Sequence, residues 1–285
     1  MKLQNPVRQN LDDFLLDCEL RNLTQSTITC YKQKLSYYFQ NYDFTQEDIN
    51  RFIIDKKSDG SHIPTINSYL RTLKAYGKYL NSDVNIRLLK EDISIKEIYS
   101  AEEIQRLIKK PNTKSFTELK TWMLVNFLLG TGCRISTALE VQVEDIDFDS
   151  GYILFRHSKN HRPQYFPLSK GLIIALKQYL KVRGDTGYLF CNQYGDRADR
   201  RSIQQQVADY NKARNVNKTS CHLFRNTFAA NYIRNGGDAF RLQKLLNHST
   251  LDMTRKYVEL YSPDLKDNLE VLSPLDTNIK NKIRL

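Results

Sequence analysis

Four side chains in the second half of the sequence have types and spacing that suit chemistry on a phosphate ester. His222 and Arg225 are three residues apart, so a helix would place them on one face. His248 follows a leucine-rich stripe, and Tyr257 comes nine residues after it. A guanidinium group can make forked contacts with nonbridging phosphate oxygens, and a tyrosine can be a covalent nucleophile toward phosphorus.

An arginine and a lysine extend this set. Arg134 follows the end of an apolar helix, and Lys159 falls in a predicted hairpin turn, from which an ammonium group can protonate a leaving oxygen. Each of these residues taken alone is more often a helix cap or a surface group, and spacing alone does not select them. Together they would suit phosphoryl transfer that needs no metal ion or other cofactor.

A series of short motifs along the chain resembles the tyrosine site-specific recombinases, also called phage-type integrases. The resemblance covers almost the whole chain and is strongest over residues 126–262. Each motif alone is weak, but all of them occur in the family's order and at its spacing. They are Thr131-Gly132-Cys133-Arg134-Ile135-Ser136, Lys159 eight residues before Pro167-Leu168, His222-Leu223-Phe224-Arg225 with Thr227-Phe228-Ala229, Gly237-Asp238, Leu245-Leu246-Asn247-His248, and Thr254 with Tyr257.

The resemblance implies a covalent mechanism on DNA. Arg134 and Arg225 would clamp the scissile phosphate and stabilise its pentacoordinate transition state. Tyr257 would attack the phosphorus and leave a 3′-phosphotyrosyl ester and a free 5′-hydroxyl. Tyr261, one helical turn further on, is a rival nucleophile, but the family spacing from the histidine favours Tyr257.

The same resemblance implies roles for the remaining candidates. Lys159 would be the general acid for the 5′-hydroxyl, His222 would assist as base, and His248 would hydrogen-bond the phosphate. Because the protein–DNA ester keeps the energy of the broken bond, strands could be rejoined without ATP or metal.

Some positions depart from the family pattern. Thr137 stands where an acidic residue usually follows the first arginine, and Glu140 lies three positions later, so it is open whether Glu140 takes over that role. Asn226 stands where a second histidine usually follows the box, and Asn247 stands where the family usually has glycine. These differences concern the support of the site more than the identity of its residues.

The sequence predicts a helical domain, a linker, a catalytic domain that carries these residues, and a tail. Residues 1–83 read as four amphipathic helices without strands, which the resemblance identifies as a SAM-like core-binding DNA domain. Residues 84–99 form a linker, 100–262 a catalytic domain, and 263–285 a tail that would dock on a neighbouring protomer. The predicted fold class is α+β, mainly α.

Within residues 100–262, the pattern changes from helical to alternating and back. Ser100 with Glu103 forms a capping box, and residues 119–132 are apolar almost all round, which predicts a buried helix. Residues 143–169 alternate like strands around two turns, which predicts a small antiparallel sheet. Helices are predicted again over 171–183 and from Arg201 onward.

Charge agrees with a polyanionic partner. The chain of 285 residues has a formal net charge of +11. Residues 1–95 carry 13 basic and 12 acidic side chains, whereas residues 96–285 carry 30 and 20. A basic surface of this kind is typical of proteins that bind nucleic acid. Net charge alone fits an ordinary soluble basic protein equally well.

The remaining composition favours a soluble cytoplasmic protein, and the resemblance to the recombinases implies a bacterial, nucleoid-associated one. No apolar run is long enough for a membrane span, and the N-terminus lacks the apolar stretch of a signal peptide. The five cysteines are scattered without a Cys-x-x-Cys pair, so no disulfide framework or zinc site is indicated.

For assembly and biological role, the resemblance implies a C-shaped clamp on double-stranded DNA with specific core sites. Four protomers would synapse two sites and exchange strands through a Holliday junction. The expected role is integration, excision or resolution of a mobile element, and the alternative is Xer-like resolution of chromosome or plasmid dimers.

Three readings of another class stay open. A type IB topoisomerase would use similar chemistry on any supercoiled DNA, and a non-catalytic regulator would only bind DNA. A metal-dependent nuclease would need clustered carboxylates, for which the sequence offers Glu144, Asp145, Asp147 and Asp149. This acidic run fits a solvated strand turn better than a metal site.

Overall fold

A computed structural model describes residues 6–91, 97–156 and 163–261 of the chain, with the side chains described from residue 10 onward. Lys159 and the predicted tail 263–285 lie outside the described residues. Contacts divide the chain into two compact units, residues 1–94 and 95–285. The domain roles assigned from the sequence stay predictions.

The first unit consists of helices in its described part, as the sequence predicts. Thr24 and Thr45 cap the second and third helices, with their side-chain oxygens accepting from the amides of Thr27 and Asp48. Phe14 and Phe52 are fully buried in the common core. The helices are α1 Pro6–Leu20, α2 Gln25–Tyr38, α3 Gln46–Ser58 and α4 Ile63–Tyr79.

The second unit combines helices with a small sheet, which confirms the predicted α+β, mainly α class. Ser100 and Glu103 form the predicted capping box at the start of its first helix. The helices are α5 Ala101–Ile108, α6 Phe116–Thr131, α7 Ile135–Glu140, α8 Lys170–Arg183, α9 Arg200–Lys212, α10 Cys221–Arg234, α11 Ala239–Leu246 and α12 Asp252–Tyr261.

Helix α6 is the centre of this unit. Its buried residues are distributed around the whole helix, so no face is predominantly polar. The helix packs against α5, α8, α9 and α10. Phe127 in its middle is fully buried and contacts the ring of Phe155 from the sheet. A helix that is apolar all round is stable only when neighbours cover every face, so α6 holds the surrounding elements together.

The sheet has three antiparallel strands, β1 Ile146–Asp147, β2 Tyr152–Phe155 and β3 Gln164–Pro167, in the order β1-β2-β3. Ile153 pairs with Phe166, and both face the core. The predicted turn between β1 and β2 is present, with Gly151 at φ 72° and Asp147 Oδ1 accepting two turn amides. In the sequence, Lys159 falls between β2 and β3, at the second predicted turn.

None of the helices in the described part of the chain combines the length and apolar character that crossing a membrane requires.

Candidate active site

Arg225 is tied to two other segments through their backbone. It lies on α10 one turn after His222, is 3% exposed, and belongs to the buried side of that helix. Its Nη1 donates to the carbonyl of Gly132 at 2.9 Å, and its Nη2 donates to the carbonyl of Leu246 at 2.7 Å. One side chain therefore joins the end of α6, helix α10 and the end of α11.

Gly132 permits this close approach. It caps α6 in the left-handed region at φ 61°, which L side chains rarely adopt. A Cβ at this position would lie 2.5 Å from the ring of Phe228 and 2.9 Å from the side chain of Leu246. Glycine is required here for both backbone conformation and space, so the carbonyl that holds Arg225 depends on it.

Arg134 follows two residues later, at the position that precedes α7, and is half-buried. Burial, together with the smaller effect of the positive charge of Arg134, lowers the pKa of Arg225 to about 10. Burial also lowers the pKa of Arg134. Both guanidinium groups remain charged at neutral pH, so two repelling cations lie close together in a partly desolvated place, which favours a bound anion.

Tyr257 lies on α12, close enough to Arg225 to feel its charge, and is 2% exposed. Its hydroxyl donates a hydrogen bond of 2.8 Å to Oδ1 of Asn226, the residue next to Arg225. Burial raises the pKa of the Tyr257 phenol, and the charge of Arg225 opposes that rise. The phenol is therefore held neutral at physiological pH, next to a cation that would stabilise its anion.

His248 is oriented by the start of α12. Its Nδ1 shares a hydrogen bond of 2.8 Å with the hydroxyl of Thr254, and its ring lies parallel to that of Tyr257, with the ring centroids 6.4 Å apart. Asn247 precedes it and adopts φ 49° as the cap of α11. Because asparagine tolerates the left-handed region better than most residues, it can replace the family's glycine there.

Glu140 does not support Arg134. Among the described residues its carboxylate forms an ion pair with Arg197 and none with Arg134. Thr137 occupies the family's acidic position without supplying a charge. Within the part of the chain that the structure describes, Arg134 has no ion pair.

Tyr261 has different surroundings from Tyr257. It lies at the end of α12, 8% exposed, with the guanidinium of Arg234 stacked 4.8 Å from its ring centroid. Burial raises the pKa of its phenol, and Arg234 opposes the rise. Its neighbouring cation is therefore not one of the motif arginines, and the geometry supports Tyr257 as the nucleophile.

The structure brings Arg134, Arg225, His248 and Tyr257 to one region, and it leaves His222 on the exposed side of α10, at its first turn. Lys159 lies outside the described residues. Sequence reasoning missed the contact made by Asn226, although its position next to Arg225 and its departure from the family pattern were a signal.

The acidic run is used for local structure. Asp145 pairs with Arg156 and accepts the amide of Gln142, and Glu144 accepts the amide of Gly187. Among the described residues, no group of histidine, cysteine and carboxylate side chains has the arrangement of a metal site.

Comparison with known proteins identifies the family of this chain. Residues 97–262 match the model of the phage integrase family. The tyrosine recombinase XerA of Pyrococcus horikoshii is 26% identical over 275 residues, which cover 94% of each chain.

Solved structures show the same fold. The Tn1549 transposon integrase in complex with transposon right end DNA aligns with a TM-score of 0.71 at 19% identity, covering 92% of this chain and 98% of that one. A lambda integrase tetramer bound to a Holliday junction aligns with a TM-score of 0.70 at 16% identity, covering 88% and 76%. The chain therefore belongs to the phage integrase family of tyrosine recombinases, whose reaction is the cleavage and rejoining of DNA.

Proposed function

We propose that this protein is a site-specific recombinase that cuts double-stranded DNA through a phosphotyrosyl bond to Tyr257. The observation that carries the proposal is the meeting of the buried Arg225, its cationic neighbour Arg134 and the phenol of Tyr257. These three residues come from separate elements, and their joint position provides an anion site next to a nucleophile.

Cleavage begins with attack of the Tyr257 hydroxyl oxygen on the phosphorus. Arg134 and Arg225 neutralise the charge that develops on the nonbridging oxygens, which is the part of the transition state where fixed donors have the largest effect. His248 hydrogen-bonds the same phosphate. Its orientation by Thr254 supports this role, because the hydrogen bond between Nδ1 and the threonine hydroxyl fixes the direction of the ring.

Proton transfers complete the step. The phenolic proton leaves with assistance from His222, and Lys159 protonates the departing 5′-oxygen. Attack by that 5′-hydroxyl on the phosphotyrosyl bond reverses the step and rejoins the strand, so neither ATP nor a metal ion is consumed.

The partner is duplex DNA with specific core sites, on which four protomers assemble. The net basic charge of residues 96–285 supports a polyanionic partner, and the lambda integrase neighbour was solved as a tetramer bound to a Holliday junction. Residues 263–285 dock on a neighbouring protomer. Deleting them is expected to impair synapsis of paired sites, and unchanged synapsis would contradict this role.

The biological role is integration, excision or resolution of a mobile element. The likeness to a transposon integrase supports it. Xer-like dimer resolution is the second candidate, and it is supported by the match to XerA over 94% of both chains.

A single-turnover assay on a nicked suicide DNA substrate tests the chemistry. Tyr257→Phe is expected to abolish the covalent adduct, and Tyr261→Phe is expected to retain it in the presence of EDTA. An adduct formed by Tyr257→Phe but not by Tyr261→Phe would reverse the assignment of the nucleophile.

Assays with the same protein distinguish a recombinase from the other three classes of protein. Relaxation of a supercoiled plasmid without any core site would indicate a type IB topoisomerase. Salt-sensitive DNA binding without an adduct on any substrate would indicate a non-catalytic regulator. Cleavage that stops in EDTA would indicate a metal-dependent nuclease.

A further inference from the structure

We propose that Asn226 is a positioning residue for the Tyr257 nucleophile. Its carboxamide oxygen accepts the phenolic hydrogen and so turns a lone pair of the phenolic oxygen toward the phosphate that Arg225 holds. This inference rests on the proposed function, because it takes Tyr257 to be the attacking residue.

The first support is the contact itself. Oδ1 of Asn226 and the hydroxyl oxygen of Tyr257 are 2.8 Å apart, and the two residues are 5% and 2% exposed. A phenolic hydrogen can point to either side of its C–O bond in the ring plane, and the position of its acceptor decides which side it takes. A buried acceptor at this distance therefore sets where the hydrogen points, and with it where the lone pairs point.

The second support is the position of Asn226 next to Arg225 on α10. Arg225 is fixed by the carbonyls of Gly132 and Leu246, so its guanidinium has little freedom to move. Adjacent residues on one helix are rigidly related. The phosphate clamp and the holder of the nucleophile therefore move as one body, which keeps the attacking oxygen and the phosphate in a constant relation.

The chemistry of the carboxamide limits what Asn226 does. An amide oxygen accepts a hydrogen bond but does not take up the proton at neutral pH. When the phenolic oxygen forms its bond to phosphorus, the P–O5′ bond breaks and the 5′-oxygen receives a proton. The phenolic proton leaves to His222 or to water, and Asn226 only orients it.

Other described groups also lie against Tyr257. They include Arg225 from α10, whose charge opposes the rise in the phenol's pKa that burial causes, the ring of His248 from the segment before α12, and Tyr261 one turn further along α12. All three remain in an Asn226 variant, so comparing that variant with the native protein isolates the contribution of the carboxamide.

Asn226→Ala is the direct test. Single-turnover cleavage is expected to fall about tenfold, the size of one lost hydrogen bond in a transition state, while the affinity for core-site DNA stays unchanged. The matched control is Asn211→Ala. Asn211 is fully buried on α9, and its amide nitrogen lies 3.0 Å from the hydroxyl of Tyr99, so this variant also removes a buried asparagine–tyrosine contact. The control is expected to lose thermal stability and keep the cleavage rate.

Asn226→His tests the positioning role through the pH dependence of the cleavage rate, which a purely structural role would not change. A neutral imidazole accepts the phenolic hydrogen, whereas an imidazolium does not. The ratio of the variant's rate to the native rate is expected to fall about tenfold as the pH drops through the pKa of the introduced imidazole, which burial and the charge of Arg225 hold below the ordinary histidine value of about 6.5. His222 and His248 are present in both proteins and cancel in this ratio.

A 5′-bridging phosphorothiolate substrate locates the defect in the nucleophile. A thiolate leaving group departs without a proton, so it would rescue a general-acid variant and is expected to leave the defect of Asn226→Ala unchanged. A native cleavage rate in Asn226→Ala, a pH-independent ratio for Asn226→His, or rescue of Asn226→Ala by the phosphorothiolate would each overturn the inference. An adduct formed by Tyr257→Phe would instead overturn the proposed function.

Discussion

The acidic turn at residues 144–149 and the arginine site differ in how their charged side chains are partnered. At the acidic turn, Asp145 is paired with Arg156, and Asp147 accepts amides of its own turn. At the arginine site, Arg225 donates to neutral carbonyls, and the charge that most affects its pKa is that of the like-charged Arg134. Satisfied charge holds local structure, whereas charge without a counterion marks the place where a ligand supplies it.

The largest effect is expected from Arg225→Lys. A lysine keeps the positive charge but cannot span both carbonyls and still present a fork to the phosphate. Single-turnover cleavage of a core-site substrate is expected to fall at least about a hundredfold, the size found when a fixed transition-state donor is removed. Cleavage within about threefold of native would show that charge alone suffices and would remove the basis of the comparison.

The acidic turn is expected to affect stability alone. Asp145→Asn keeps an acceptor for the Gln142 amide but removes the ion pair with Arg156, so the free energy of unfolding should fall by about 1 to 2 kcal/mol. Urea unfolding measures this change. The cleavage rate of the folded protein should equal that of the native protein, and a rate loss like that of Arg225→Lys would mean that the turn takes part in catalysis.

Asn247→Ala is expected to affect both properties. Alanine in the left-handed region costs about 1 kcal/mol, and the strain falls next to Leu246, whose carbonyl holds Arg225. Asn215→Ala is the matched control, because Asn215 also has a positive φ, of 55°, at the end of α9. The control should lose similar stability in urea and retain native cleavage. Equal cleavage in both variants would contradict the link between this cap and the arginine.

The smallest expected effects are on the pH dependence of folding stability, one in acid and one in alkali. The turn amides and Ser150 lower the pKa of Asp147, so its contribution to stability is present above the ordinary aspartate pKa and is lost as the pH falls through the lowered value. Burial raises the pKa of Tyr257, so its contribution is present below the ordinary phenol pKa and is lost as the pH rises through the raised value.

The corresponding variants should separate these two losses. Asp147→Asn is expected to reduce the loss of stability in acid and to leave the alkaline loss unchanged. Tyr257→Phe is expected to do the reverse. Unfolding midpoints in urea at acidic, neutral and alkaline pH measure both, and a variant that changed the two ends equally would contradict the separation.

Local features of this protein could be predicted from its sequence because they depend on neighbouring residues. The caps at Thr24, Thr45 and Ser100, the apolar helix α6 and the Gly151 turn arise from side chains within a few residues of the backbone groups that they serve. The order of the family motifs likewise identified the residues of the candidate site and the class of reaction.

Only the tertiary structure decided how those residues are supported. Arg225 binds a carbonyl 93 residues away, Asn226 holds a phenol 31 residues away, and Glu140 pairs with an arginine 57 residues away. No local periodicity encodes such contacts, because they depend on how α6, α10, α11 and α12 pack. The sequence by itself thus determined which groups are candidates for the reaction, and packing decided which acceptors hold them.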